Sequence, residues 1–338
     1  SRVHRVSAMS IVGLDLDHLT ALAPPEYLAD WRLAVCWEAA TATGLLNALP
    51  ATVDEAAAQS ELDRTASQAV LTLLAGWELG EADDSGYWTL GPVRLTDTQA
   101  DALTQHGVWI SRWSMMVAAR LEDRAAPAPQ ALPDFDPRRG LTRLAAASAR
   151  AIGPVTDLLL RDQPAPARVL DLGGGHGEYA LELARHGCDV TIQDLPVVIE
   201  HLTTDSRFGN ITLVPGDLFH GVAEGPFDLV LCSTVTNMFD PQAVQRLMGL
   251  VRQQLAPEGE LAIVTYTRDH DLIGAAFGVQ MLVATASGDA HSSEEYLEWM
   301  CSAGYVSLAT DRLTEPPLTA IRGRRAEATA LTSEEDAL

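Results

Sequence analysis

The chain has 338 residues, and its hydrophobic content of 47% is sufficient for two folded domains with ordinary cores. Its 46 acidic residues outnumber 23 basic ones, all of them arginine, and the net charge of −23 argues against binding to nucleic acid or to an anionic membrane. Cys36, Cys188, Cys232 and Cys301 are widely spaced, so we expect reduced, buried thiols. No stretch resembles a signal peptide or a membrane span, and we expect a soluble, cytoplasmic protein.

The first third of the chain has helical patterns. Apolar residues recur at helical spacing between Tyr27 and Leu49 and again between Ala66 and Trp77. Thr52 and Glu55 have the spacing of a capping box, which predicts the start of a helix. From Gly80 to Leu90, an acidic turn between two short apolar runs predicts a hairpin. Three helices and a hairpin are typical of a winged helix, but the acidic residues there oppose DNA binding.

The middle of the chain marks the change to a second domain. We expect residues 1–123 to form a winged-helix-like module for dimerisation, and residues 124–160 to form a linker and a helix broken or kinked at Gly153-Pro154. Between residues 161 and 325, short apolar runs alternate with helices. This order predicts an α/β domain with a doubly wound, parallel sheet covered on both faces. Residues 326–338 are predicted to be a flexible tail.

The strongest motif is Asp171-Leu-Gly-Gly-Gly-His-Gly177, which lies between the first predicted strand of this domain and a helix. Its glycines permit a sharp turn and a close approach to a ligand. Glu178 stands where a dinucleotide fingerprint requires glycine, and its charge would oppose a pyrophosphate. Asp194 and Asp217 end the next two strands, where carboxylates can bind a ribose and an adenine amine. Each could instead cap a helix, but together they indicate a nucleoside cofactor with a cationic, phosphate-free group.

These motifs resemble those of S-adenosylmethionine-dependent methyltransferases, and more narrowly the dimeric O-methyltransferases of plant phenolics and actinobacterial natural products. Further matches are Asp194-Leu-Pro196, Gly216-Asp-Leu-Phe219, Ser293-Glu-Glu-Tyr296 and Ala303-Gly-Tyr305. The resemblance covers about residues 25 to 322. It implies a class I, Rossmann-like methyltransferase fold, S-adenosylmethionine as cofactor, a small-molecule acceptor, and a homodimer. It assigns cofactor binding to Asp171, Gly173, Gly175, Asp194, Leu195, Gly216, Asp217, Leu218, Phe219 and Ser233.

The chain departs from this family at the catalytic positions. The family has a histidine that takes the proton of the acceptor hydroxyl and a glutamate that orients it, whereas Thr236 and Ala290 stand here. A positioned general base is worth about 10² to 10⁴ in rate. We therefore expect in-line transfer driven by positioning, to an amine, an acidified phenol, a carboxylate or a carbanion. Thr236, His291 and Asp240 are the candidates for a catalytic role.

Aromatic and thioether residues predict an apolar, adaptable acceptor site, although any one of them could simply be core. The residues predicted to bind the acceptor are Trp113, Met116, Asn237, Met238, Tyr266 and Met281. The run from Arg268 to Asp271 is expected to be a solvated turn, and no metal site is predicted.

Two other functions are compatible with these residues. A protein that binds the cofactor without transferring its methyl group could catalyse a cyclisation, a pericyclic rearrangement or a hydroxylation. A scaffold with an inactive site is disfavoured because the glycine loop and both acids are intact.

Overall fold

The computed structural model describes residues 29–123, 137–161 and 167–326. Two compact units divide the chain, Ser1–Arg124 and Ala125–Leu338. The first two residues of the helix predicted from Tyr27, most of the predicted linker (124–136) and the predicted tail after residue 326 lie outside the described residues.

Within residues 29–123, the first unit contains helices and a small antiparallel sheet with the strand order β1-β3-β2. The elements are α1 (Trp31–Ala42), β1 (Ala51–Thr52), α2 (Val53–Gln59), α3 (Arg64–Gly76), β2 (Gly80–Ala82), β3 (Tyr87–Leu90) and α4 (Asp97–Glu122). The capping box is present: the Thr52 amide donates to Glu55 Oε2 at 2.9 Å, and the Glu55 amide donates to Thr52 Oγ1 at 3.3 Å. The hairpin is also present, as the antiparallel pair of β2 and β3.

The helix α5 (Pro137–Leu160) opens the described part of the second unit and corrects two expectations. It begins at Pro137, inside the predicted linker, where proline suits the first turn because its missing N–H would have no partner there. It also continues through Gly153-Pro154 without a break. An internal proline removes a backbone hydrogen bond, but Ala151 and Val155, which flank this point, are buried in the core and hold the helix in place.

A seven-stranded sheet with the order β6-β5-β4-β7-β8-β10-β9 forms the centre of the described second unit. Its strands are β4 (Arg168–Leu172), β5 (Asp189–Asp194), β6 (Thr212–Pro215), β7 (Phe227–Ser233), β8 (Leu255–Thr265), β9 (Tyr305–Arg312) and β10 (Thr319–Arg325). Strands β4 to β8 are parallel, as predicted. The prediction of a wholly parallel sheet is wrong for β10, which lies between β8 and β9 and runs antiparallel to both, because its short connection from β9 permits only an antiparallel pair.

Helices cover both faces of this sheet. They are α6 (Glu178–Arg185), α7 (Pro196–Thr203), α8 (Pro241–Gln254), α9 (Leu272–Ala284) and α10 (Ser293–Ser302). Successive strand residues point to opposite faces, so Val169 joins a cluster that includes residues of α5, α6 and α7, whereas Leu170 joins one that includes residues of α8 and α10. The chain runs from β4 outward to β6 and then returns to β7 on the other side of β4. This reversal creates a switch point between β4 and β7, where open α/β sheets bind ligands.

Two further observations concern the chain as a whole. None of the helices in the described residues combines the length and hydrophobicity needed to cross a bilayer. The four cysteines are unpaired, and Cys232 is buried as expected. Cys301 is exposed, so the expectation of burial is wrong there, because the residue occupies the last turn of α10 at the surface.

Candidate functional site

The glycine loop lies at the switch point, between the end of β4 and the start of α6. Gly173, Gly175 and Gly177 have φ angles of 71°, 52° and 75°, which other residues rarely adopt. A Cβ atom on Gly173 would also lie 2.6 Å from Cγ2 of Val235, which follows β7. The loop therefore keeps its course only with glycine at these positions.

Asp171 lies directly beneath this loop. Its side chain is 1% exposed, and its Oδ2 accepts no hydrogen bond from the described residues. Burial, and secondarily the nearby charge of Asp194, raise the pKa of Asp171 to about 7. A buried carboxyl group without a partner is costly for a protein. Such a group fits a ligand that brings a cationic hydrogen-bond donor to the end of β4.

Asp194 connects the end of β5 to the glycine loop. Its Oδ2 accepts from the Gly175 amide at 2.8 Å, and its Oδ1 accepts from the Leu195 amide at 2.6 Å. Burial raises the pKa of Asp194, and these two hydrogen bonds oppose the shift. A carboxylate has about four acceptor positions, so both oxygens can still accept from hydroxyl groups of a ligand.

The segment after β6 holds the third predicted acid. Oδ1 of Asp217 accepts from the Phe219 amide at 2.9 Å, and its Oδ2 lies 3.3 Å from His220 Nδ1. Leu218 and Phe219 are half-buried, whereas Leu195 is exposed at the end of β5. The acids at the ends of β4, β5 and β6 thus lie at one edge of the sheet.

Sequence analysis missed Gln193, which fixes the segment after β6. Its buried amide donates to the Gly221 carbonyl and accepts from the Ala223 amide, each at 2.7 Å. In addition, the Gly216 amide donates to the backbone carbonyl of Asp194 at 2.9 Å. Gln193 lies in an apolar strand and its partners are about 30 residues away, so no local signal pointed to it.

The end of β7 approaches the glycine loop from the other side of the switch point. Ser233 ends the strand and lies close to the hydroxyl of Tyr179 on α6. Burial raises the pKa of Tyr179 to about 12, so this hydroxyl stays protonated at neutral pH. Thr234 has a φ angle of 51°, an uncommon conformation for a β-branched residue. It turns the chain sharply, so that Val235 and Thr236 become buried.

Thr236, the residue at the family's base position, forms a buried pair with Tyr296 of α10. The two hydroxyl oxygens are 2.8 Å apart, and neither side chain is more than 1% exposed. Burial raises the pKa of Tyr296 well above its usual value. Both hydroxyls therefore remain neutral, and the pair offers no base.

His291 and Asp240 also have structural partners. His291 is buried, with Nε2 at 3.1 Å from the Phe239 carbonyl and its ring packed edge-to-face against Tyr296 and Trp299. Burial lowers the pKa of His291. Asp240 caps α8 and accepts from the Ala243 amide at 2.8 Å.

The predicted acceptor residues of the second unit surround the same turn. Asn237 is buried and donates to Met281 Sδ at 2.8 Å, while its Oδ1 lies 3.4 Å from Thr265 Oγ1. Tyr266 stacks at a tilt on Phe277 of α9, with ring centres 4.7 Å apart. Met238, the residue that follows Asn237, is half-exposed. Trp113 and Met116 lie on α4 in the first unit, where Met116 is buried.

Comparison with known proteins agrees with this geometry. Residues 143–309 match the family model described as "Methyltransferase domain". The sheet of the second unit has the class I methyltransferase fold, and an added helical region lies before it in the chain.

Two curated relatives come from Streptomyces. A 3-amino-4-hydroxybenzoate 4-O-methyltransferase of Streptomyces cremeus is 31% identical over 44% of this chain and 42% of its own. A 3-hydroxy-5-methyl-1-naphthoate 3-O-methyltransferase of Streptomyces sahachiroi is 27% identical over 52% of each chain. The chain thus spans about half the length of these relatives.

The solved structure described as PigF with SAH has a TM-score of 0.66 at 20% identity, over 86% of this chain and 95% of that one, which shows a shared fold.

The burial of Asp171 predicts a pH dependence of stability. The pKa rises from 3.8 in the unfolded chain to about 7 in the folded protein, so Asp171 stabilises the fold below about pH 4, and this contribution is lost as the pH rises to about 7. A difference of about three pH units corresponds to about 4 kcal/mol. We expect Asp171→Asn, which stays neutral, to lose less unfolding free energy than the wild type between about pH 4 and about pH 8. Denaturant unfolding at both pH values measures this difference, and parallel profiles of the two proteins would contradict it.

Proposed function

We propose that the protein transfers the methyl group of S-adenosylmethionine to an aromatic hydroxyl group of a small natural product. One observation carries this proposal: the buried carboxyl group of Asp171 lies beneath a glycine loop, next to a second acid at the end of β5, and its Oδ2 has no hydrogen-bond partner among the described residues. This arrangement provides counter-charge for an amino group and acceptors for a ribose, and it provides no cation for a phosphate.

The residues at the switch point suit the parts of this cofactor. Asp171, Gly173 and Gly175 would hold the methionine portion, and Asp194 and Leu195 the ribose. The adenine would lie against the segment after β6, which consists of Gly216, Asp217, Leu218 and Phe219. Ser233 would lie at the sulfonium end. When bound, the cofactor supplies an activated methyl group.

The acceptor is proposed from the apolar residues near the end of β8 and from the two relatives. Tyr266 and Phe277 present a stacked aromatic pair, and Met281 is a flexible thioether beside Asn237. The relatives act on a hydroxybenzoate and a hydroxynaphthoate. A planar, hydroxylated aromatic molecule is therefore the acceptor class that we propose.

In this proposal, Thr236 has a positioning role. Its hydroxyl is paired with Tyr296 and holds the turn that leads to Asn237. Correct alignment of two reactants can contribute as much as about 7 to 11 kcal/mol to a reaction. We therefore assign Thr236 to alignment of the reactants and not to removal of the proton of the acceptor.

We also propose that the first unit is a winged-helix-like module through which two copies associate. Trp31 on α1 and Met115 on α4 are 61% and 57% exposed, and exposed apolar residues of this size are typical of interaction surfaces. The unpaired cysteines support a reducing, cytoplasmic location.

The transfer itself is tested with methyl-labelled S-adenosylmethionine and a panel of hydroxybenzoates and hydroxynaphthoates. We expect a labelled methyl ether and one equivalent of S-adenosylhomocysteine for each product molecule, measured by mass spectrometry. Product without consumption of the cofactor would instead indicate the cyclising, rearranging or hydroxylating alternative. Absence of cofactor binding in calorimetry would contradict the cofactor assignment as well.

Binding of the cofactor should release a proton from Asp171. At about pH 7 roughly half of the Asp171 groups are protonated, because the pKa is about 7. A cationic amino group beside the carboxyl favours its ionised form, so we expect release of up to about half a proton per site. Calorimetry in two buffers with different ionisation enthalpies measures this number. Asp171→Asn should bind more weakly and release no proton, and a binding enthalpy that is independent of the buffer would argue against the contact.

The positioning role of Thr236 makes a separate prediction. Thr236→Ala leaves the buried Tyr296 hydroxyl without its partner, so we expect a loss of about 1 to 3 kcal/mol in unfolding free energy. Turnover should fall by less than about tenfold, which corresponds to about 1.4 kcal/mol. Thr236→Ser keeps the hydroxyl and is the matched control. A loss of turnover typical of a missing base, with stability unchanged, would contradict this role.

A further inference from the structure

The loop between α9 and α10, residues 285–292, lies directly on the turn after β7, residues 236–239. We call these two segments the α9–α10 loop and the β7 turn. The Asp289 amide donates to the Asn237 carbonyl at 3.0 Å. A Cβ atom on Gly288 would lie 2.4 Å from the same carbonyl oxygen, so the two segments pack without a gap. Because Asn237 is a candidate acceptor residue, the position of the loop determines the position of part of the candidate acceptor site.

Arg268, in the turn after β8, connects the α9–α10 loop to α10. Its Nη1 donates to the Ala290 carbonyl at 3.1 Å, and its Nη2 pairs with Glu295 Oε2 at 2.6 Å. The carboxylate of Asp289 lies 3.8 Å from Nη1. A guanidinium presents its N–H donors in fixed directions within one plane, so a single side chain can bind both partners at once. Arg268 is thus a bridge between the loop and the first turn of α10.

The carboxylate of Glu295 also fixes the end of the loop. Its Oε2 accepts from the Ser292 amide at 2.7 Å and from Ser292 Oγ at 3.1 Å, as in a capping box. Burial alone would raise the pKa of Glu295, but the hydrogen bonds from Ser292 and Arg268 outweigh it and leave the pKa below its usual value. Glu295 is therefore ionised at neutral pH, and Arg268 supplies its counter-charge.

The turn after β8 is itself attached to the sheet. His270 Nδ1 lies 3.2 Å from Oγ1 of Thr319, the first residue of β10. Oγ1 of Thr319 is in turn 2.9 Å from Oγ1 of Thr267, and both threonines are buried. Arg268 stands between Thr267 and His270 in the chain, so its side chain projects from a fixed backbone.

The neighbour of Arg268 binds the start of α10 as well. Asp269 accepts from the Ser293 amide at 2.9 Å and pairs with Arg312 of β9 at 3.0 Å. Two adjacent residues of opposite charge thus hold the same helix end. Of the two, Arg268 is the one that is bonded to the α9–α10 loop.

We propose that Arg268 is a positioning residue for the acceptor, because it holds the α9–α10 loop on the β7 turn and thereby fixes Asn237 and Met238. The proposal rests on the proposed function, in which an aromatic acceptor binds beside this turn. Arg268 acts through the loop and takes no part in the transfer of a proton or a methyl group. The acceptor oxygen must meet the methyl group in line, and a misplacement of about 1 Å can cost about 10² in rate.

The first test separates the bridge from the charge of Arg268. Arg268→Lys keeps a cation for Glu295, but an ammonium is a point charge and cannot hold the Ala290 carbonyl and Glu295 in the same geometry. With a hydroxybenzoate or hydroxynaphthoate, we expect kcat/KM for the acceptor to fall about tenfold in Arg268→Lys, and at least as much in Arg268→Gln. The Kd of S-adenosylmethionine, measured by calorimetry, should be unchanged in both.

Arg312→Gln is the matched control. The side chains of Arg312 and Arg268 are 47% and 41% exposed, and Arg312 pairs with Asp269 at the start of the same helix. Loss of either ion pair should lower the unfolding free energy slightly, whereas kcat/KM for the acceptor should fall only in the Arg268 variants. A decrease of equal size in Arg312→Gln would overturn the proposal, as would a wild-type kcat/KM in either Arg268 variant.

The second test examines the loop without turnover. In amide hydrogen exchange of the cofactor-free protein, followed by NMR, the Asp289 amide reports the contact with the Asn237 carbonyl. We expect this amide to exchange about tenfold faster in Arg268→Gln than in the wild type or in Arg312→Gln, because the loop opens locally. Equal protection in all three proteins would contradict the proposal. If the wild type methylates no acceptor, the proposed function fails, whereas exchange at Asp289 still decides whether Arg268 holds the loop on the turn.

Discussion

The carboxyl group of Asp171 at the end of β4 is the constraint on which the candidate site depends. It is buried on an interior strand of the sheet, yet no described residue hydrogen-bonds to its Oδ2. A buried polar atom without a partner is costly, and at Asp171 the cost grows as the carboxyl group ionises. The arrangement is reasonable for a protein whose bound ligand supplies the missing partner. The position of this carboxyl group also explains the glycine loop. Only a loop of this shape can pass directly over the carboxyl group with the backbone amides of the loop exposed.

The rest of the cofactor region is built from connections between neighbouring strand ends. Asp194 accepts from the amide of Gly175 and thereby joins β5 to the loop after β4. Gln193 joins the same strand to the segment after β6 through two hydrogen bonds. A carboxylate and an amide on adjacent residues of one strand thus determine where two ligand-binding segments lie. Movement of β5 would displace both segments together.

The features that sequence could predict are local ones. Each strand from β4 to β8 is visible in the sequence as a short apolar run. Each acid of the candidate site is recognised as a single residue at the end of such a run. Strands β9 and β10 were both missed, and in β10 the apolar pattern is interrupted by Arg322 and Arg324. Both arginines are paired in the structure with the buried Glu260 of β8, so charges that suggest a surface loop are in fact neutralised within the sheet. Likewise, Thr236 meets Tyr296 across 60 residues and His270 meets Thr319 across 49, distances over which a single sequence carries no signal.

Thr236 and Ala290, which stand at the two positions where the family resemblance implies a catalytic pair, lie in neighbouring buried segments. Ala290 is completely buried, and the neighbouring Asp289 amide and His291 side chain attach this loop to the turn at residues 237 to 239. A glutamate at position 290 would need a donor there, and the family's histidine provides one. With Thr236 already hydrogen-bonded to Tyr296, a carboxylate at position 290 would be a buried charge that needs another partner, and a buried charge that lacks one costs several kcal/mol. Alanine at position 290 avoids this cost in a chain that has threonine at position 236.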